Sequence, residues 1–68
     1  MNNLCPIYET KNKVVFSISD NMTLTVVSGG VVIEDLLTSK LLAVYPEEID
    51  SLIAGLTQAV DVLKKMNL

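Results

Sequence analysis

Tyr45–Met66 reads YPEEIDSLIAGLTQAVDVLKKM, and its spacing decides the fold. Ile49, Leu52, Ile53, Leu56, Ala59, Val60, Leu63 and Met66 recur three and four residues apart. That period predicts one amphipathic helix of about six turns with these side chains on a single face. Asp50, Ser51, Thr57, Gln58, Asp61, Lys64 and Lys65 fall on the opposite face. Pro46 suits the first helical position, where a missing N–H costs nothing and the fixed φ is already helical. Glu47, Glu48 and Asp50 sit near the positive end of the helix dipole, and Lys64 and Lys65 near its negative end. Tyr45, held extended by the following proline, marks the start. Asn67 is expected to end the helix in a left-handed conformation.

In heptad terms, Ile49, Leu56 and Leu63 take position a, and Leu52, Ala59 and Met66 take position d. Ile53 and Val60 widen the stripe at e. A stripe this broad suits a helix lying across a sheet, whereas a coiled-coil seam would be narrower. Gly55, beside Ala54, is the misfit, because an interior glycine costs about 1 kcal/mol relative to alanine. It reads either as a close approach or neutral surface position, or as a crossing point for a helix of another subunit.

Upstream the period changes from helical to alternating. Val14, Phe16 and Ile18 face one way, with Lys13, Val15, Ser17 and Ser19 facing the other. Met22, Leu24 and Val26 alternate with Thr23, Thr25 and Val27. Both runs are rich in β-branched residues and predict strands. A three-residue loop of Ser19, Asp20 and Asn21 would pair Ile18 with Met22, Phe16 with Leu24 and Val14 with Val26. That register keeps the apolar residues together and requires positive φ at Asn21. A Gly29-Gly30 turn would then pair Val26 with Ile33 and Ser28 with Val31. Val31–Ile33 and Leu41–Tyr45 read as further strands around a turn at Thr38-Ser39. No single register gathers Leu36, Leu37, Leu41 and Leu42 on one face. Either both faces of that hairpin are covered, or residues 34–39 form a short helical turn. Residues 1–11, with Pro6 barring a central strand position, read as a loose arm that docks along a sheet edge.

The whole is one α+β domain over residues 1–68. The reading expects an antiparallel meander of three to four strands across residues 13–45, then a C-terminal helix over 46–66 packed on one face of the sheet.

Composition narrows the function. The chain has 68 residues, half of them hydrophobic, with a single Cys and no His or Trp. A core this small supplies only about 3–5 kcal/mol, and neither a disulfide nor a histidine metal site can supplement it. The surplus of aliphatic side chains implies self-association, as a homodimer or higher oligomer. The net charge is −3 and arginine is absent, so nucleic acid is not an expected partner and no polybasic membrane anchor exists. No run of about 18 apolar residues predicts a membrane span, and the start lacks a signal-peptide pattern. A cytoplasmic setting, or a host cytoplasm for a phage-encoded chain, is expected.

Catalytic chemistry finds no footing. Without histidine there is no histidine base and no catalytic triad. Glu34-Asp35 are neighbours in an extended segment and point to opposite faces, which suits neither metal binding nor paired acid–base work. The carboxylates at the helix start are explained by the dipole. Gly29-Gly30 is followed by an extended segment and no GK[ST], so it is not a phosphate cradle. No cofactor and no metal are expected, and the chain is read as a non-enzyme. Val15, Thr23, Thr25, Val27, Leu36, Leu41, Ala54 and Gly55 are the candidate interface residues.

Strand and helix order over residues 13–66 resembles that of single-stranded-DNA-binding transcriptional coactivators, which dimerise through the helix and hold DNA on basic strands. No motif is shared and the basic residues are missing, so the resemblance does not imply DNA binding. Small, acidic, motif-free chains of this type also resemble phage accessory proteins that inhibit a host or defence enzyme. The expected function is therefore a small acidic homo-oligomeric module that binds another protein. The alternative is a binder of a small, nucleotide-like ligand in a pocket between subunits.

Overall fold

Five strands precede the helix in the computed structural model, which describes residues 4–67. They are β1 (Pro6–Glu9), β2 (Val14–Ser19), β3 (Met22–Val27), β4 (Gly30–Asp35) and β5 (Lys40–Val44), and α1 spans Pro46–Met66. Each strand pairs antiparallel with the next, giving one sheet in the order β1-β2-β3-β4-β5. The meander and the C-terminal helix are as expected, but the strand number is not. Residues 6–9 of the supposed arm form β1, at the edge beside β2. Pro6 takes the first position of this edge strand, where its missing N–H removes no central ladder bond. Residues 4, 5, 10 and 11 of the arm are in no strand, and residues 1–3 lie outside the described residues.

The first hairpin keeps the expected pairs Phe16–Leu24 and Val14–Val26 but closes differently. The register shifts between Ser17 and Ser19, so Ser19 and not Ile18 faces Met22. The extra residue goes into a bulge instead of the loop, leaving a two-residue turn at Asp20-Asn21. Asn21 is therefore not left-handed; Ser39, at φ 60°, is the one non-glycine residue with positive φ among the described residues. Local hydroxyl bonds account for the tighter turn. The Ser19 hydroxyl accepts the Asn21 N–H at 3.3 Å, and the Ser17 hydroxyl donates to the Ser19 carbonyl at 3.2 Å.

The second hairpin slips by two residues from the expected register. Ser28-Gly29 is the turn, Val27 faces Gly30, and Val26 faces Val31. A two-residue slip preserves which face each side chain occupies, so the apolar pattern alone could not detect it. Gly30 settles it. This residue is buried at φ 144°, and a Cβ there would lie 2.5 Å from the Val44 carbonyl oxygen. The glycine is spent on close passage of the β5 end and not on the turn.

The third hairpin draws residues 36–39 out of both strands. Asp35 organises this turn. Its carboxylate accepts the Leu37 N–H and the Thr38 hydroxyl, each at 3.0 Å, and its carbonyl accepts the Ser39 N–H at 2.8 Å. The turn thus includes Thr38-Ser39 but is longer than expected. It is closest to the helical-turn alternative, with Glu34 and Asp35 remaining in β4.

These registers sort the sheet into two faces. Val14, Val26, Val31 and Val44 form one row, and Phe16, Leu24, Ile33 and Leu42 the next row on that face. The other face carries Val15, Thr25, Val32 and Ala43, then Ser17, Thr23, Glu34 and Leu41.

The helix begins and ends where its punctuation requires. Tyr45 is extended (φ −81°, ψ 155°), and its side chain provides no cap. Glu48 substitutes for it: its carboxylate accepts the Tyr45 N–H at 3.1 Å while its own N–H donates to the Tyr45 carbonyl at 2.9 Å. Asn67 is the C-cap but keeps φ −93°, so it is not left-handed as expected. Its N–H simply donates to the Leu63 carbonyl at 3.0 Å.

Gly30→Ala is the sharpest test of this register. With a forbidden φ and a backbone oxygen in the way, it is expected to cost about 2 kcal/mol or more of unfolding free energy by urea titration. Gly29→Ala, with open space around it, is expected to cost under about 1 kcal/mol.

Candidate functional site: uncovered apolar surface

Val44, 6% exposed, is the one buried hydrophobic residue among those described. It stands where β5 meets the helix, next to an apolar cavity of about 230 Å³. Leu24, Val31, Ile33 and Val44 line this cavity from the sheet; Ile49, Leu52, Ile53 and Leu56 line it from the helix. All four sheet residues belong to the same face.

Beyond that cavity the helix is bare. No residue of α1 is buried, and only Ile49 and Leu52 are half-buried. Leu56 is 57% exposed, Leu63 54% and Met66 74%. The total accessible surface is 5816 Å² for a chain of 7.4 kDa. A folded monomer of that mass is expected to expose only about 4,200 Å².

The candidate interface residues do not converge on one patch. Val15 and Thr25 are directly paired on the sheet face away from the cavity, and Thr23 and Leu41 occupy the next row of that face. Val27 closes the second hairpin against Gly30. Leu36 lies in the turn after β4, and Ala54 and Gly55 are on the helix. Among the described residues, nothing beyond its chain neighbours and the adjacent helix backbone comes within 4 Å of where a Gly55 Cβ would stand. This removes the close-approach reading within one chain.

Leu42 was missed. It lies on the cavity face of β5 and is 57% exposed, while its neighbour Leu41 on the other face is 66% exposed. Adjacent leucines in a strand must point to opposite faces, so their exposure leaves apolar surface on each side of β5.

Two carboxylates are occupied structurally. Asp35 holds the β4–β5 turn and Glu48 holds the helix start. Glu34 sits in β4 opposite Thr23 and Leu41. The Lys13 ammonium lies 5.5 Å from the centre of the Tyr8 ring, tying β2 to the β1 edge. Cys5 is exposed and free. Among the described residues no three His, Cys, Asp or Glu side chains gather around a possible metal position, and no helix is long and apolar enough to cross a membrane.

Gly55→Ala measures whether the exposed helix behaves as an isolated one. With open space at the site, the substitution is expected to raise stability by about 0.5–1 kcal/mol in urea unfolding at low protein concentration. No protein-family model, curated protein or solved structure matches this chain.

Proposed function

We propose that this chain is a self-associating, non-catalytic protein-binding module, and that its helix lies over the sheet and continues past it. The observation that carries the reading is the bare apolar stripe of α1. A helix of 21 residues is about 31 Å long. The strands reach only six residues, or about 20 Å, and five of them side by side span about the same distance. The sheet is too small to cover the helix. The molecule is accordingly 44 Å in its longest dimension with a radius of gyration of 13.6 Å, against about 11 Å for a compact chain of this length.

A second copy fits the uncovered surface in both size and charge. The excess of exposed surface over the expectation for a monomer is about 1,600 Å² per chain, or about 3,200 Å² over two chains, which is the range of an obligate homodimer and above a standard interface. Glu47 and Glu48 mark one end of the helix, and Lys64 and Lys65 the other. Antiparallel helices would therefore place opposite charges together, and parallel ones like charges. A further protein partner would be steered by the net charge of −3, which favours a basic surface. A nucleotide-like ligand finds no polar group in the apolar cavity; the polar side chains for it stand instead at an open cleft of about 340 Å³ lined by Lys11, Asn12, Lys13 and Ser28, or would come from a pocket built between subunits.

Sedimentation or light scattering at micromolar concentration is expected to report a dimer or larger species. Leu63→Glu is expected to weaken association at least tenfold while leaving far-ultraviolet circular dichroism unchanged. A monomeric mass for the unaltered protein at high concentration would sink the proposal.

A further inference from the structure

We infer that the second copy joins through β5, strand edge to strand edge, so that the sheet of one chain continues into the sheet of its partner. This rests on the self-association proposed above and names the surface that mediates it.

The two edges of the sheet are not equivalent. At the β1 edge Pro6 lacks an N–H, and the register breaks between Pro6 and Tyr8. These are devices that blunt an edge against pairing. At the β5 edge there is neither. Lys40–Val44 reads KLLAV, without proline, glycine or a carboxylate. Its register with β4 runs unbroken from Asp35–Lys40 to Val31–Val44. Its one charged residue, Lys40, stands at the first position, and the regular apolar run Leu41–Val44 after it is a template for another strand.

The side chains on both faces of β5 fit a partner strand better than water. Leu41 and Leu42 are 66% and 57% exposed, on opposite faces. A single protein lying on one face would cover only one of them. An antiparallel copy of β5 related by a two-fold axis beside Leu42 would give each of them a cross-strand neighbour. Leu42 would then meet its counterpart on the cavity face, and Leu41 would meet Ala43 of the other chain on the opposite face. The helices would lie on the same side of the joined sheet, because a two-fold axis normal to the sheet keeps each face on its own side. An open cleft of about 260 Å³ lies beside this edge, lined by Leu42, Ala43, Val44, Glu48 and Leu52. It gives the partner's Leu42 a place to enter. The surplus of exposed area lies mostly on α1, and a second copy, which brings its own helix to the joined face, covers more of it than a single peptide strand does.

The test uses the full chain with Cys5→Ser. Leu42→Cys and Tyr8→Cys are each treated with a short bifunctional maleimide, and Leu41→Lys/Leu42→Lys is weighed in solution. Cross-linking of Leu42→Cys to a covalent dimer, at least tenfold above Tyr8→Cys, is expected. A monomeric mass for the double-lysine variant with unchanged circular dichroism is also expected. Equal cross-linking at the two positions would overturn the inference even if the lysine variant failed to fold. An unaltered protein that associates, loses association with Leu63→Glu and keeps it with the double-lysine change would overturn the β5 contact alone. A monomeric unaltered protein would overturn both this contact and the self-association it rests on.

Discussion

The helix meets the sheet only around the cavity at its start, and most of the exposed apolar surface of this chain comes from that. Strand length and strand number set the sheet at about 20 Å in each direction, while the helix runs about 31 Å. Only Ile49 and Leu52 become half-buried, and the apolar positions from Ile53 onward stay mostly exposed. A chain of 68 residues has too little material to build a second layer over the remaining turns. The helix therefore displays, over its last turns, the same residue pattern that its first turns share with the cavity.

The passage of β5 over Gly30 is the second constraint. Val44 can be buried, and the chain can turn directly into Pro46, because Gly30 presents no side chain to the Val44 carbonyl. This contact fixes the phase of the β3–β4 hairpin and, through it, the rows of the sheet. It also explains why the sequence spends two adjacent glycines near one turn. Gly29 belongs to the turn and has open space around it, while Gly30 belongs to the strand and has none.

The elements that were legible in the sequence are those with a strong period or a charged signature. The helix bounds follow from Pro46, the acidic first turn and the lysines of the last turn, and they fall at Pro46 and Met66. The faces of β2 and β3 follow from alternation. What alternation cannot encode is a slip of two residues, since both registers present the same face, and the error at Gly29-Gly30 was of this kind. Nor can it distinguish a three-residue loop from a two-residue turn with a bulge. That choice was made by the Ser17 and Ser19 hydroxyls bonding locally, a signal present in the sequence but weak beside the hydrophobic pattern. β1 was hidden for a different reason. A short edge strand that starts with proline carries little apolar alternation, and its pairing depends on the neighbour already being in place.

Among the candidate interface residues, the ones chosen for hydroxyls and valines did fall together on a sheet face, because period-two alternation places them there. The helix pair Ala54 and Gly55 stood apart from them, since sequence spacing gives no distance between elements. A more general lesson comes from Leu41 and Leu42. When adjacent residues in a strand are both large and apolar, no one-sided cover satisfies them, because the two side chains need cover on both faces. β5 is at the edge of its own sheet, yet it carries a side-chain pattern typical of strands covered on both faces. Pairing β5 with another strand would give both leucines a cross-strand neighbour, while cover over each face has to come from other elements of the assembly.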